Sequence, residues 1–161
     1  MGQKQHHKGA RVLVADDDQA IRQLVCTIIK REGLEVDCAA DGMEAIDFLR
    51  QHEYAVVLVD LMMPRVDGFG VIAHLRKHPP SYKPVVLVIT AYADQKFKEV
   101  DPSIVTGVIR KPFEVADVGS IVRLCVSGFQ EAVSEEPSFD DERAWHLPQE
   151  AARSGNGNGV H

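Results

Sequence analysis

Aromatic residues are scarce in this chain, 6% of 161 residues with a single Trp, and no apolar run approaches the roughly 18 residues that cross a bilayer. No membrane insertion is expected. Clustered Lys and Arg are also missing, and the net charge of −6 opposes the counterion-releasing contacts by which proteins hold phosphate backbones. Direct nucleic-acid binding is therefore not expected. The opening MGQKQHHKGA is polar and basic without an apolar h-region, so it does not read as a secretory leader and a cytoplasmic location is expected. Cysteine is limited to Cys26, Cys38 and Cys125, an odd set at wide spacing inside apolar segments. That pattern predicts buried free thiols in a reducing compartment, not bridges or zinc ligands. The seven histidines show no shared ligand spacing and receive no role.

What is present is one domain's worth of alternating pattern. The β-branched run Arg11–Ala15 stops at three aspartates, as a strand covered on both faces of a parallel sheet would. Ile21, Leu24, Val25, Ile28 and Ile29 follow at helical spacing, and Gly33 is the expected C-terminal cap. The unit then repeats: a strand over Glu35–Cys38, a helix begun by Asp41, a strand over Ala55–Val59, and a helix over Asp67–Lys77 with Phe69, Ile72, Ala73 and Arg76 in series. Strands over Val85–Ile89 and Thr106–Ile109 and a helix over Val115–Phe129 complete the alternation. Pro102 lies where the fourth helix belongs, so that helix should be short or irregular.

Such alternation implies an α/β fold: a doubly wound, five-stranded parallel sheet in a three-layer sandwich. Residues 1–9 are expected to be flexible, 10–129 to form the domain, and 130–161 to be a disordered tail, acidic and then Gly/Asn-rich. Ligands of such sheets sit beyond the carboxyl ends of the strands, where the strand order reverses. Asp16 and Asp17, Asp60, Thr90 and Lys111 all follow strand ends. Converging carboxylates repel unless a cation joins them, and hard oxygen donors suit Mg²⁺. Asp18 reads simply as a helix cap, and Pro64, Asp67 and Gly68 as the turn that launches the next helix.

The runs VLVADDDQAIRQLV, VVLVDLMMPRVDGFGVI, VVLVITAYAD and VIRKPF, in this order over roughly residues 10–128, closely resemble the receiver domains of response regulators. The resemblance implies a flavodoxin-like sheet of strand order 2-1-3-4-5, with Asp60 as phosphoacceptor. It further implies that Asp17, Asp60 and the backbone carbonyl of Met62 bind Mg²⁺ directly and that Asp16 acts mostly through water. Thr90 and Lys111 match the hydroxyl and the lysine that contact the phosphoryl group, with a cis Lys111–Pro112 bond. The implied donor is a sensor histidine kinase or a histidine phosphotransfer protein, and the output an unknown downstream protein.

Three positions depart from the pattern or tune it. Val108 replaces the Tyr or Phe that usually swings inward with the threonine, so output should use a different or weaker rearrangement of the face formed by the fourth helix, fifth strand and fifth helix. Met62 and Tyr92 are bulky and carry neither a carboxylate nor an amide, so neither positions an attacking water well, which predicts slow self-dephosphorylation. The alternative reading is a phosphorylation-independent interaction module, and Val108 is its best support. An aspartyl phosphohydrolase of the haloacid-dehalogenase type is disfavoured because Met62 stands where it needs a second aspartate. A flavodoxin-like cofactor carrier lacks its phosphate loop.

Overall fold

The structure, a computed structural model, describes residues 10–134. The flexible amino terminus and the tail beyond residue 134 read from the sequence lie outside the described residues.

Five strands, β1 (Arg11–Ala15), β2 (Glu35–Ala39), β3 (Val56–Val59), β4 (Val85–Thr90) and β5 (Val105–Arg110), form one parallel sheet in the order β2-β1-β3-β4-β5. The central strands β1, β3 and β4 are apolar over nearly their whole length because both faces are covered, whereas the edge strands β2 and β5 carry Glu35, Asp37, Thr106 and Arg110. Val12 and Val14 of β1, Val56 and Leu58 of β3, and Leu87 and Ile89 of β4 enter one core, under α1 (Gln19–Arg31) and α5 (Val115–Ser134). Their alternates Leu13, Val57, Val59, Val86 and Val88 enter the other, under α2 (Gly42–Gln51) and α3 (Gly68–Lys77). Period-two alternation therefore feeds two apolar layers instead of one apolar and one wet face.

Aspartates start three of the helices. Asp18, Asp41 and Asp67 sit in extended backbone and accept from N–H groups of the first turn, at 2.9 Å from Ala20, 3.0 Å from Glu44 and 2.9 Å from Gly70. Glu44 reaches back to the Ala40 N–H at 2.8 Å, which closes a reciprocal cap around the start of α2. At the far end of α1, Gly33 takes the left-handed conformation with φ 78°, as the sequence predicts.

The expected break in the fourth helix is present. α4 has a single turn, Ala93–Lys96, continued by a 3₁₀ turn over Phe97–Glu99. Beside it β5 carries one extra residue, Thr106, between the partners of Val86 and Leu87.

Three expectations need correction. The buried series on α3 is Val71, Ile72 and Leu75, with Phe69 only partly covered and Ala73 outside it. Five apolar residues in seven permit more than one stripe, and the sheet selects among them. Helix α5 continues through Ser134, five residues past the boundary at Phe129.

The cysteines are the third. Cys26 and Cys38 are joined as a disulfide across Cα atoms 6.8 Å apart, and only Cys125 is a free thiol among the described residues. Wide sequence spacing argues against pairing only if the intervening chain runs away. Here α1 turns at Gly33 and packs back along β2, which brings position 26 of the helix over position 38 of the strand. Closing a loop of 12 residues contributes roughly 3 kcal/mol by restricting the unfolded chain. Dithiothreitol is accordingly expected to lower the urea midpoint of the wild type and to leave Cys26→Ala/Cys38→Ala unchanged.

No described helix is long and apolar enough to cross a membrane.

Candidate functional site

The strand order reverses between β1 and β3, since β2 lies to one side of β1 and the chain returns to the other. Helices α1 and α3 consequently leave on opposite faces, and a crevice opens beyond the carboxyl ends of these two strands. Asp16 immediately follows β1 and Asp60 immediately follows β3. Both are placed by sheet-type bonds: the Asp16 N–H donates to the Ala39 carbonyl at 3.1 Å and the Asp60 N–H to the Ala15 carbonyl at 2.9 Å.

One carboxylate oxygen from each of Asp16, Asp17 and Asp60 lies within 4.8 Å of the other two. Asp16 and Asp60 are buried, at 3% and 6% exposure, while Asp17 is open to solvent. The Lys111 ammonium reaches in from the end of β5, 2.7 Å from Asp16 Oδ2 and 2.9 Å from Asp60 Oδ2. Its own peptide N–H donates to the Thr90 carbonyl at 3.0 Å, which ties the loop after β5 to the end of β4. The Lys111–Pro112 bond is cis.

These groups perturb one another. Burial raises the Asp16 pKa above the ordinary carboxylate value, against the lowering pull of Lys111 and of the Asp18 N–H. Burial would lower Lys111, but its bonds to Asp16 and Asp60 outweigh that and leave its pKa raised. Three carboxylates against one ammonium leave a formal charge of −2, on hard oxygen donors with one side open to water. That donor set fits a divalent magnesium-like cation.

Residues 12–123 match the family model of the response regulator receiver domain. The chain belongs to that family. The receiver domain is 32% identical over 107 residues to the transcriptional regulatory protein SrrA of Staphylococcus aureus, a match covering 66% of this chain and 44% of SrrA. It thus spans less than half the length of that relative. Among solved structures it is similar to the Francisella response regulator 1452 receiver domain (29% identity, TM-score 0.66, covering 74% of this chain and 98% of the other). It is likewise similar to the response regulator TrrA of Thermotoga maritima, solved in complex with Mg²⁺ and BeF (27% identity, TM-score 0.64, 72% and 98% covered).

Thr90 ends β4 fully buried, and its Oγ accepts from the Tyr92 N–H at 3.2 Å. The Tyr92 and Met62 side chains are 48% and 44% exposed at the rim of the receiver site. Met62 touches Asp60 through its own N–H, which donates to Asp60 Oδ1 at 3.2 Å. Val108 stays on β5 opposite Val88, partly buried against the α2/α3 core. Next to it, Arg110 pairs with Asp94 of α4.

Several contacts that support the site went unseen in the sequence, although Asp41 and Gly68 themselves read there as a helix start and part of a turn. Gly68 packs so closely that a Cβ there would lie 2.3 Å from the Asp60 carbonyl oxygen, and one at Gly42 would meet the Val66 carbonyl oxygen at 2.1 Å. Buried Asp41 pairs with Arg65, which holds a left-handed φ of 64° in the loop after Asp60. The Arg22 guanidinium donates to the Asp16 carbonyl at 2.7 Å. The available signal was the Asp-Gly step, present twice, at 41–42 and 67–68. In each the aspartate caps a helix while the glycine lets another loop touch the backbone.

Proposed function

We propose that this receiver domain takes a phosphoryl group onto Asp60 from a phosphohistidine of a sensor kinase or phosphotransfer protein, and signals by altered binding to another protein. The observation that carries the reading is the bridging of Asp16 and Asp60 by the Lys111 ammonium. A half-neutralised acidic pocket is what an incoming phosphoryl group requires, since its equatorial oxygens need cations and its acceptor needs a free carboxylate oxygen.

Asp16, Asp17 and Asp60 would hold Mg²⁺, with the Met62 carbonyl as a further donor. Bound there, the ion supplies charge neutralisation for the phosphoryl oxygens. In the transfer an Asp60 carboxylate oxygen forms the new bond to phosphorus as the phosphorus–nitrogen bond of the donor breaks. The leaving imidazole keeps the electron pair and takes a proton. Lys111 then turns from the Asp60 carboxylate to a phosphoryl oxygen, and the Thr90 hydroxyl contacts the same group. No step requires a separate enzyme's active site, and hydrolysis of the acyl phosphate resets the switch. Met62 and Tyr92 bring neither a carboxylate nor an amide to orient an attacking water, so that reset is slow.

Transmission must work without an aromatic at Val108. The partner face is formed by the short α4, β5 and α5, and the Asp94–Arg110 pair spans its first two elements.

Intact-mass analysis with Mg²⁺ and a small phosphodonor is the test. Wild type is expected to gain a single phosphoryl adduct that decays over many minutes, and Asp60→Asn to gain none. Absence of an adduct with every donor would remove the phosphoacceptor reading in favour of a phosphorylation-independent interaction module.

A further inference from the structure

Cys26 lies on α1 and Cys38 on β2, and their bond ties the helix to the strand. No step proposed for Asp60 uses either sulfur. Their neighbours along the chain, however, hold the Asp16 peptide from both sides. The Ala39 carbonyl, one residue after Cys38, accepts from the Asp16 N–H at 3.1 Å. The Arg22 guanidinium, one helical turn before Cys26, donates to the Asp16 carbonyl at 2.7 Å. The disulfide therefore links the two elements that fix where Asp16 sits, and Asp16 is a buried member of the carboxylate cluster.

What the bond adds depends on how firmly β2 is held without it. β2 stands at the edge of the sheet, paired with β1, and every residue of it before Ala39 is exposed or half-buried. Local opening begins in segments of this kind, where few apolar contacts have to be given up. Just beyond Ala39 the same segment also reaches the loop after Asp60. There the Gly42 N–H donates to the Val66 carbonyl at 3.0 Å, and Asp41 pairs with Arg65. A shift of the β2 edge thus acts on both sides of the acidic pocket.

The two sulfurs differ in access. Cys26 is 5% exposed within the core, whereas Cys38 is half-buried. In the reduced protein the Cys38 thiolate is therefore the group that meets a small disulfide oxidant such as glutathione disulfide. It attacks one sulfur of the oxidant, and one glutathione leaves as thiolate. The Cys26 thiolate then attacks the Cys38 sulfur of the mixed disulfide, which forms the Cys26–Cys38 bond and releases the second glutathione. Two protein thiols are oxidised, one glutathione disulfide is reduced, and the two thiol protons end on the two glutathiones. A dithiol reductant runs the sequence backward.

We infer that Cys26 and Cys38 form a reversible oxidation site that sets the cation affinity of the acidic pocket. Bridged, they hold Asp16 in place for the cation; reduced, they free the β2 edge and weaken binding. The inference rests on the Mg²⁺ site proposed above.

The test uses the full chain carrying Cys125→Ala, which removes the third thiol. Samples treated with glutathione disulfide or with dithiothreitol are freed of reagent under nitrogen. Alkylation and intact-mass analysis should then find no free thiol after the oxidant and both cysteines free after the reductant. Each sample is titrated with Mg²⁺ while the ¹⁵N amide resonances of residues 16–18 and 60–62 are followed. The reduced form is expected to bind at least about 3-fold more weakly, since losing a support behind a metal ligand commonly costs about 10–100-fold and this one is only loosened. Amide exchange over residues 35–40 should be faster in the reduced form, with the far-ultraviolet spectrum unchanged. Cys26→Ser/Cys38→Ser in the same background should match the reduced protein after either treatment. Equal Mg²⁺ affinity in the bridged and reduced forms overturns the inference and leaves the cation site standing, and so do thiols that stay open to alkylation after the oxidant. Absence of Mg²⁺ binding in the bridged form removes the proposed cation site and the inference with it.

Discussion

Replacing Gly68 by alanine is expected to destabilise the domain by about 3 kcal/mol and to slow phosphoryl transfer in the fraction that folds. The added Cβ would sit 2.3 Å from the Asp60 carbonyl oxygen and 2.7 Å from Leu61 Cα. Both are backbone atoms, so no side-chain rotation relieves the contact and the chain itself must move. The segment that moves carries Asp60, and the Gly68 N–H bond to the Leu61 carbonyl, 2.9 Å, is strained with it. Displacing a reacting carboxylate by about 1 Å costs on the order of 100-fold in rate. Gly128 supplies the matched control, because it lies within α5 and a Cβ there meets nothing within 4 Å. Gly128→Ala should stabilise the domain by up to about 1 kcal/mol through helix propensity. Urea denaturation of both variants checks the opposite signs. Equal effects would show that the close packing at Gly68 yields at little cost.

Lys111→Met is expected to lower stability at neutral pH by about 3 kcal/mol without Mg²⁺, because it strips the ammonium from two buried carboxylates. The pH dependence has a defined sign. Burial already raises Asp16 above its unfolded value, and Lys111 opposes that rise. Without the lysine the folded pKa climbs further, so between the unfolded and folded values the folded state holds a proton that the unfolded chain does not. The penalty is thus fully present above the folded pKa and disappears as pH falls through it toward the unfolded value. The lysine contributes in the opposite sense: its own folded pKa is raised, so its stabilisation is complete below the unfolded value and is lost only as pH rises through the folded one. The stability gap between wild type and Lys111→Met, followed by denaturation from neutral pH down toward the ordinary carboxylate range, should therefore narrow as the pH falls. A constant gap would show that Lys111 matters through packing alone. Lys111→Met/Asp16→Asn should recover most of the lost stability at neutral pH while remaining poor at phosphoryl transfer.

Much of this arrangement was readable before any coordinates. Strands β1, β3 and β4 are short runs rich in β-branched residues that stop at a polar one, and a run of that kind is stable only when buried on both sides, so the three-layer fold follows from composition and order. The three capping aspartates are local: a side chain bonding N–H groups two or three residues ahead needs no tertiary partner. Pro102 foretold the short α4 for an equally local reason.

What stayed hidden depends on which segments meet. The Cys26–Cys38 bond requires α1 to return along β2, and the buried stripe of α3 was one of several that its apolar residues allow until the sheet faced it. Asp41–Arg65 and the close approach of Gly68 to Asp60 each join segments separated in the chain. The sequence by itself determined the elements, their order and the strand-end residues, because these rest on hydrogen bonds and burial patterns within a few residues. Only the tertiary structure decided that Lys111 stands between Asp16 and Asp60 at 2.7 and 2.9 Å, because that distance is set by sheet register and loop packing acting together.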